Sequence, residues 1–259
     1  MSTPAPTDRP GALVTGAARR IGAAIARDLA GQGWAVAVHY NSSEAEAAET
    51  VAAIRAAGGV AAAVAANLSD EAETQGLVPR AANALGRPLT CLVNNASVFE
   101  WDDVHTAGRA SWDRHLDPNL RAPFVLTQRL AEQLPDDARG AVINILDAKV
   151  WNLAPGFTSY TVSKAGLWAL TQTLALELAP RIRVNAVGPG PTLPSVRQTP
   201  ADFARQAGQM PLGHGSSPEE ICQAVQFILA ARSVTGQMIA LDGGQHLGWA
   251  QPGADPTVE

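Results

Sequence analysis

Ala12-Leu13-Val14-Thr15-Gly16-Ala17-Ala18-Arg19-Arg20-Ile21-Gly22 is the stretch that decides how this chain folds. A short apolar run at 12–14 ends in Thr15-Gly16 and passes into a helical pattern over 20–32, closed by Gly31 and Gly33. Strand, glycine turn and helix in that order open a βαβ unit, and the turn aims backbone N–H groups at the space in front of a helix N-terminus, where a phosphate is attracted. Outward from it the alternation continues. The sequence predicts strands at 34–40, 59–65, 89–93, 141–146, 182–187 and 237–241. Between them it predicts an Ala- and Glu-rich helix after the second strand, a helix capped by Ser69 and running to 85, and helical periodicity over 112–134 broken by Pro118 and Pro123. A long helix at 158–179 and a late one at 218–230, after Ser216-Ser217, complete the pattern. The second strand is apolar without a break as far as His39, which suits a parallel sheet buried on both faces. Such repetition implies right-handed crossovers and an α/β, Rossmann-like, doubly wound parallel sheet of about seven strands with helices on both faces.

No internal repeat or linker divides the chain, so a single domain is expected at 11–248, between a flexible leader at 1–10 and a C-terminal tail at 249–259 that is either disordered or docked on another subunit. The stretch 188–215 holds five prolines and one short helical segment at 201–209, and reads as a surface excursion over the site.

Of 259 residues 46% are apolar and 17% charged, a globular composition that excludes a disordered or fibrous chain. With 19 basic and 24 acidic residues the net charge is −5, which offers no positive field for nucleic acid or an anionic membrane and leaves small molecules as the expected partners. Cys91 and Cys222 are too few for a disulfide framework and fit a reducing compartment. With no apolar leader and no run of about 18 apolar residues, a cytoplasmic location is expected. His105, His115, His214 and His246 show neither HxH nor HExxH spacing, so no metal is expected.

The choice of nucleotide follows from charge. A ribose 2′-hydroxyl is held by an acid about twenty residues after the first glycine, yet 36–40 offers none and the next acid is Glu44. Arg19 and Arg20 at the turn, with His39, Asn41, Ser42 and Ser43 as donors after the second strand, suit a 2′-phosphate, hence NADP(H).

Tyr160 and Lys164 stand four residues apart on one face of the long helix. An ammonium about 4 Å from a phenol, at an effective dielectric of 20, favours tyrosinate by roughly 4 kcal/mol, enough to lower its pKa by up to about three. Such a pair can exchange a proton with a substrate.

Taken together and in order, the glycine turn, Asn94-Asn95-Ala96, Tyr160-Thr161-Val162-Ser163-Lys164, Arg183-Val184-Asn185 and Pro189-Gly190 resemble the short-chain dehydrogenase/reductase family over about 230 residues. Two departures narrow the likeness. Arg20 stands where the family's middle glycine belongs, which implies ordinary backbone dihedrals there and a cation beside the phosphates. Asp147 stands thirteen residues before the tyrosine, where most members carry serine. Both features, with Asn95-Ala96-Ser97-Val98-Phe99, resemble the pteridine reductase and dihydromonapterin reductase branch.

The resemblance implies roles. Lys164 would hold the nicotinamide ribose and lower the pKa of Tyr160, and Asn119 would keep the proton-relay water and the helix around Lys164 in place. Gly16, Arg19, Arg20, Ile21, His39, Tyr40, Asn41, Ser42, Asn67, Leu68, Asn95, Ala96 and Ser97 would bind the cofactor, together with Tyr160 and Lys164, while Pro189, Gly190 and Thr192 would cover the nicotinamide. An ionised Asp147 would push tyrosinate back toward tyrosine, which helps a plain ketone little but suits the protonating nitrogens of a pterin. Phe99 would stack on the flat ring, with Trp151 as a further wall. The activity implied is NADPH-dependent reduction of a dihydropterin of the biopterin, monapterin or folate type, by a homotetramer. The alternatives are a general ketone or 3-oxoacyl-thioester reductase of the same family, and a catalytically silent NADP-binding regulator.

Overall fold

Seven parallel strands in the order β3-β2-β1-β4-β5-β6-β7 form one sheet. The computed structural model describes residues 9–248, so most of the expected leader and the whole tail at 249–259 lie outside the described residues. The strands are β1 (Gly11–Val14), β2 (Ala35–Tyr40), β3 (Val60–Ala65), β4 (Leu89–Asn94), β5 (Gly140–Ile145), β6 (Ile182–Pro189) and β7 (Met238–Leu241). The order reverses between β1 and β4, and at that switch point the carboxyl ends of the strands leave a crevice.

Alternate side chains along each strand feed two apolar layers. Ala12, Val14, Val36, Val38, Cys91 and Val93 pack toward α1 (Arg20–Gly31), α2 (Glu44–Ala56) and α8 (Pro218–Ala230). Leu13, Ala35, Ala37, Leu92 and Val142 pack toward α3 (Glu71–Leu85), α5 (Ala122–Gln133) and α6 (Thr158–Glu177). Burial on both faces explains the unbroken apolar strands. Cys91 and Cys222 are free thiols in the core, each pushed up to about 12 by burial.

Local chemistry adjusts the expected boundaries. Asp70, not Ser69, caps α3, its Oδ1 accepting from the Glu73 amide at 2.9 Å. Ser217 caps α8 in a capping box with Glu220. The periodicity at 112–134 resolves into α4 (Arg109–Leu116), a π-helical stretch Asp117–Arg121 that absorbs Pro118, and α5. In the excursion after β6 the helix is α7 (Pro200–Gly208), opened by a Thr199–Asp202 capping box.

Arg20 departs from its expected backbone. Its φ is +55°, so the residue in the glycine's place keeps the glycine's left-handed conformation. For a side chain with a Cβ that conformation costs about 1–2 kcal/mol. The guanidinium reaches across the mouth of the crevice to donate to the carbonyls of Pro194 at 3.0 Å and Leu193 at 3.4 Å.

Candidate active site

The crevice holds two connected chambers. A groove of about 450 Å³ runs along the glycine turn, the end of β2, the 67–69 segment and the 95–98 segment. A cavity of about 290 Å³ lies beyond it, under the excursion, and the two share Arg20, Ile21, Asn95 and Ser97.

The groove is built by the turn. Gly16 has φ +61° and lies against Ala96, where a Cβ would meet Cα at 2.9 Å. Gly22 packs against the Gly16 carbonyl and the Asn95 amide, and Asn95 Nδ2 donates to the carbonyls of Thr15 and Gly16. Arg19, at the N-cap of α1, makes no side-chain cap hydrogen bond, so the first-turn amides meet the groove without a competing oxygen from that side chain. Gly16, Arg19, Arg20, Ile21, His39, Tyr40, Asn41, Ser42, Asn67, Leu68, Asn95, Ala96 and Ser97 all line it, and no carboxylate side chain does. Two guanidiniums, serine hydroxyls and helix amides without an acid fit a phosphorylated ribose and a pyrophosphate, so the residues present accommodate a 2′-phosphorylated dinucleotide.

His39 is not a donor to that groove. Its ring is 2% exposed, Nδ1 accepts from the Gly16 amide at 2.9 Å, and Nε2 lies 3.0 Å from the Ala66 carbonyl. Because Gly16 donates to Nδ1, the proton sits on Nε2 and the neutral ring ties the glycine turn to the end of β3. Burial lowers its pKa to about 4, against a smaller raising effect from the Ala66 carbonyl, so it brings no positive charge to a phosphate.

Asp147, Tyr160 and Lys164 converge on the cavity, with Phe99, Pro189, Gly190 and Thr192. Tyr160 donates its hydroxyl to Asp147 Oδ2 at 2.9 Å, while Asp147 Oδ1 accepts from the Lys149 amide at 2.8 Å, so both carboxylate oxygens are oriented. Lys164 is 3% exposed, donates from Nζ to the Ile145 carbonyl at 2.9 Å and stands 5.8 Å from the centre of the Tyr160 ring. Burial lowers its pKa to about 8, with Asp147 opposing. Burial thus lets the ammonium shed its proton below the usual lysine range. Asn119, presented by the π-helical stretch, accepts from the Val98 amide at 2.8 Å and donates to the Val98 carbonyl at 2.9 Å and Ser163 Oγ at 3.1 Å. It lies behind the cavity wall and joins the 95–99 segment to the helix turn carrying Lys164. Thr192 Oγ1 is within 2.7 Å of Ser216 Oγ, pinning the start of the excursion.

Trp151 does not wall the cavity. It is 43% exposed and packs edge-on against Trp168 and His246 at 6.1 and 5.2 Å, because the short 3-10 turn Ala148–Val150 carries it past the opening. Phe99 instead stacks on Phe157, 1% exposed, at 4.4 Å and meets the Tyr160 ring edge-on at 4.7 Å. Pro155-Gly156, a turn signal just ahead of α6, was the available hint: Gly156 and Phe157 take φ of +78° and +52°, turning the ring inward. Lys149 and Arg197 also gather around this ring pair, and nothing in the one-dimensional pattern marks them. Among the described residues no group of three His, Cys, Asp or Glu side chains could hold a metal ion, and no helix is long and apolar enough to cross a membrane.

A parallel sheet with this strand order, a glycine turn at its switch point, and tyrosine and lysine one helical turn apart define a nucleotide-dependent oxidoreductase of the short-chain type. The chain belongs to the short-chain dehydrogenase/reductase family: the family model described as enoyl-(acyl carrier protein) reductase matches residues 16–246. The crystal structure of the FolM alternative dihydrofolate reductase 1 of Brucella canis complexed with NADP superimposes with a TM-score of 0.90 at 48% identity, covering 95% of this chain and 97% of that one. An uncharacterized oxidoreductase of Methylorubrum extorquens is 40% identical over 241 residues, 90% of this chain and 96% of that protein. The 3-oxoacyl-[acyl-carrier-protein] reductase FabG of Staphylococcus aureus is 34% identical over 241 residues, 91% of this chain and 98% of that protein.

Proposed function

We propose that this chain is an NADPH-dependent reductase of dihydropterins, working as a cytoplasmic homotetramer. The observation that carries the reading is the hydrogen bond from the Tyr160 hydroxyl to Asp147, a carboxylate where most of the family has a neutral hydroxyl. Saturating a C=N bond takes a hydride at carbon and a proton at nitrogen; NADPH, when bound, supplies the hydride. This chain's residues manage the proton. Asp147, oriented by the Lys149 amide, holds the phenol hydroxyl in the cavity. Lys164, fixed on the Ile145 carbonyl, lends positive charge to the phenol from within the helix. A pterin nitrogen is basic enough to receive a proton from such a pair, and the Phe99 ring offers a flat apolar surface to a planar heterocycle. The neighbour complexed with NADP and the acid-free groove support the choice of nucleotide.

The experiment is Asp147→Ser, assayed with 7,8-dihydropterin and with NADPH binding followed by fluorescence. The pterin turnover number should fall by about 10²-fold, with NADPH still bound. Turnover that survives unchanged refutes the relay. The likeness to FabG favours a second reading, reduction of a 3-oxoacyl thioester; a substrate panel in which only the thioester oxidises NADPH selects it.

A further inference from the structure

Phe99 stands in an irregular segment, 95–103, outside any strand or helix, yet its ring lies 4.7 Å from the Tyr160 ring. Its two chain neighbours are what is held. The Val98 amide donates to Asn119 Oδ1 at 2.8 Å, and the Glu100 amide donates to His115 Nε2 at 3.0 Å. His115, near the end of α4, stands four residues before Asn119, and each of the two reaches on to α6. Asn119 Nδ2 donates to Ser163 Oγ at 3.1 Å, while His115 Nδ1 lies 2.7 Å from Ser159 Oγ. Ser159 and Ser163 are one helical turn apart, with Tyr160 between them. Two rungs therefore join the irregular segment to the helix, one through Asn119 and one through His115, and they bracket Phe99 at one end and Tyr160 at the other.

The histidine rung has one arrangement of protons. Because the Glu100 amide donates to Nε2, the imidazole carries its hydrogen on Nδ1, facing Ser159 Oγ and, at 3.1 Å, the Ser111 carbonyl. Ser159 Oγ accepts that hydrogen and gives its own to Asp102 Oδ2, which also accepts from Ser111 Oγ. Asp102 Oδ1 accepts from the Ser159 amide at 3.1 Å, and the Asp102 carbonyl accepts from the Thr158 amide at 3.3 Å. Asp102 thus caps α6 from a distant segment, in place of the helix's own N-cap residue Phe157, which makes no side-chain cap bond. His115, Ser159 and Asp102 are all buried. A buried chain of matched donors and acceptors keeps one geometry, because turning any member strands a polar group away from water.

We propose that His115 is a positioning residue for the reaction. Through Glu100 it sets the Phe99 ring, and through Ser159 it ties that ring to the turn of α6 carrying Tyr160, so that the platform for the substrate and the proton donor are held as one body. His115 lines neither chamber and acts only through these neighbours. The inference rests on reading the cavity as a dihydropterin site in which Phe99 supports the ring.

Two substitutions cut the rung at its two ends. His115→Asn is too short to reach the Glu100 amide, and Ser159→Ala removes the hydroxyl while its backbone amide still meets Asp102. With 7,8-dihydropterin and NADPH, each should lower kcat about tenfold, with KM and the Kd for NADPH within about twofold of the unmodified enzyme. The links act in series, so the double variant should lose no more than either single one. Combined with Phe99→Leu, either should cost far less than the product of the separate losses, because the rung acts through that ring. A role in stability alone would lower Tm and leave the kcat of the folded enzyme level. Should His115→Asn fail to bind NADPH, Ser159→Ala and its combination with Phe99→Leu decide the matter. Unchanged kcat in the single variants, or losses that multiply with each other or with Phe99→Leu, overturn the proposal and leave the dihydropterin reading standing. If the unmodified enzyme turns over a 3-oxoacyl thioester and no dihydropterin, that reading falls and the proposal falls with it.

Discussion

Lowering the pH from about 7.5 to about 4.5 should cost this protein stability through one side chain, His39. Folded, the ring is buried and neutral, with a pKa near 4; unfolded, it returns to 6.5. Above pH 6.5 neither state holds the proton and the histidine contributes no pH dependence. As the pH falls below 6.5 the unfolded chain takes up a proton that the folded ring refuses, and stability drops with every step until about pH 4, where the folded ring titrates too. The gap between 6.5 and about 4, at about 1.36 kcal/mol per pH unit, is worth about 3 kcal/mol. Urea unfolding followed by the fluorescence of the six tryptophans is the assay. With a denaturant slope of about 3 kcal/mol per molar, the midpoint should move by about 1 M. His39→Asn removes the titrating group, so its stability deficit at neutral pH should narrow by about 3 kcal/mol on going to about pH 4.5. Parallel losses in the two proteins across that window refute the argument, as does a ring resonance of His39 that titrates near pH 6.5.

The buried ammonium of Lys164, lowered to about 8, should give kcat/KM a descending limb as pH rises through that value, because the charge beside the phenol is lost. In Lys164→Arg, whose guanidinium stays charged, the limb should leave the measured range; a limb that stays near 8 assigns it to another group. Gly22→Ala would place a Cβ 2.3 Å from the Gly16 carbonyl and 2.5 Å from Asn95 Nδ2, both fixed by the turn. It should lower stability by about 2 kcal/mol, or roughly 4–8 °C in Tm, and weaken nucleotide binding in calorimetry. Arg20→Gly should relieve the left-handed backbone, leaving Tm level or slightly raised, yet release the Leu193 and Pro194 carbonyls and weaken the Kd for NADPH about tenfold. A lower Tm with unchanged Kd would reverse both halves of that expectation.

Much of the fold was legible because its signals are local. Apolar runs of strand length, glycines where the chain turns and helical periodicity between them specify a parallel sheet before any contact is known. Ser217 with Glu220 was readable as a cap for the same reason, whereas Asp70 displaced Ser69 because which oxygen reaches the first-turn amides depends on a single backbone angle. In the site, Tyr160 and Lys164 could be paired from helical spacing, whereas Asp147 joined them only through the resemblance to the family, at the place of its serine. What the sequence hid is the set of properties that exist only in three dimensions. His39 reads as a polar donor after a strand, but burial of both ring nitrogens against backbone groups makes it a neutral tie. Trp151 reads as a wall, but a three-residue turn carries it outside. Arg20 reads as evidence of ordinary dihedrals, while the close packing of Gly16, Gly22 and Asn95 holds the glycine's geometry whichever residue stands there. Lys149, Phe157 and Arg197 meet from separate segments and leave no periodic trace.

The widened turn at Asp117–Arg121 has a hereditary consequence. It accommodates one more residue than a regular helix of the same rise, and it presents Asn119 toward Val98 and Ser163. Deleting a single residue there would restore regular winding with the flanking helices still in phase, but would close the wide turn that presents Asn119. Asn119 would lose its bonds to Val98 and Ser163. Descendants of this chain can therefore exchange the exposed side chains along that helix, whereas losing the extra residue of the turn would cost Asn119 its place.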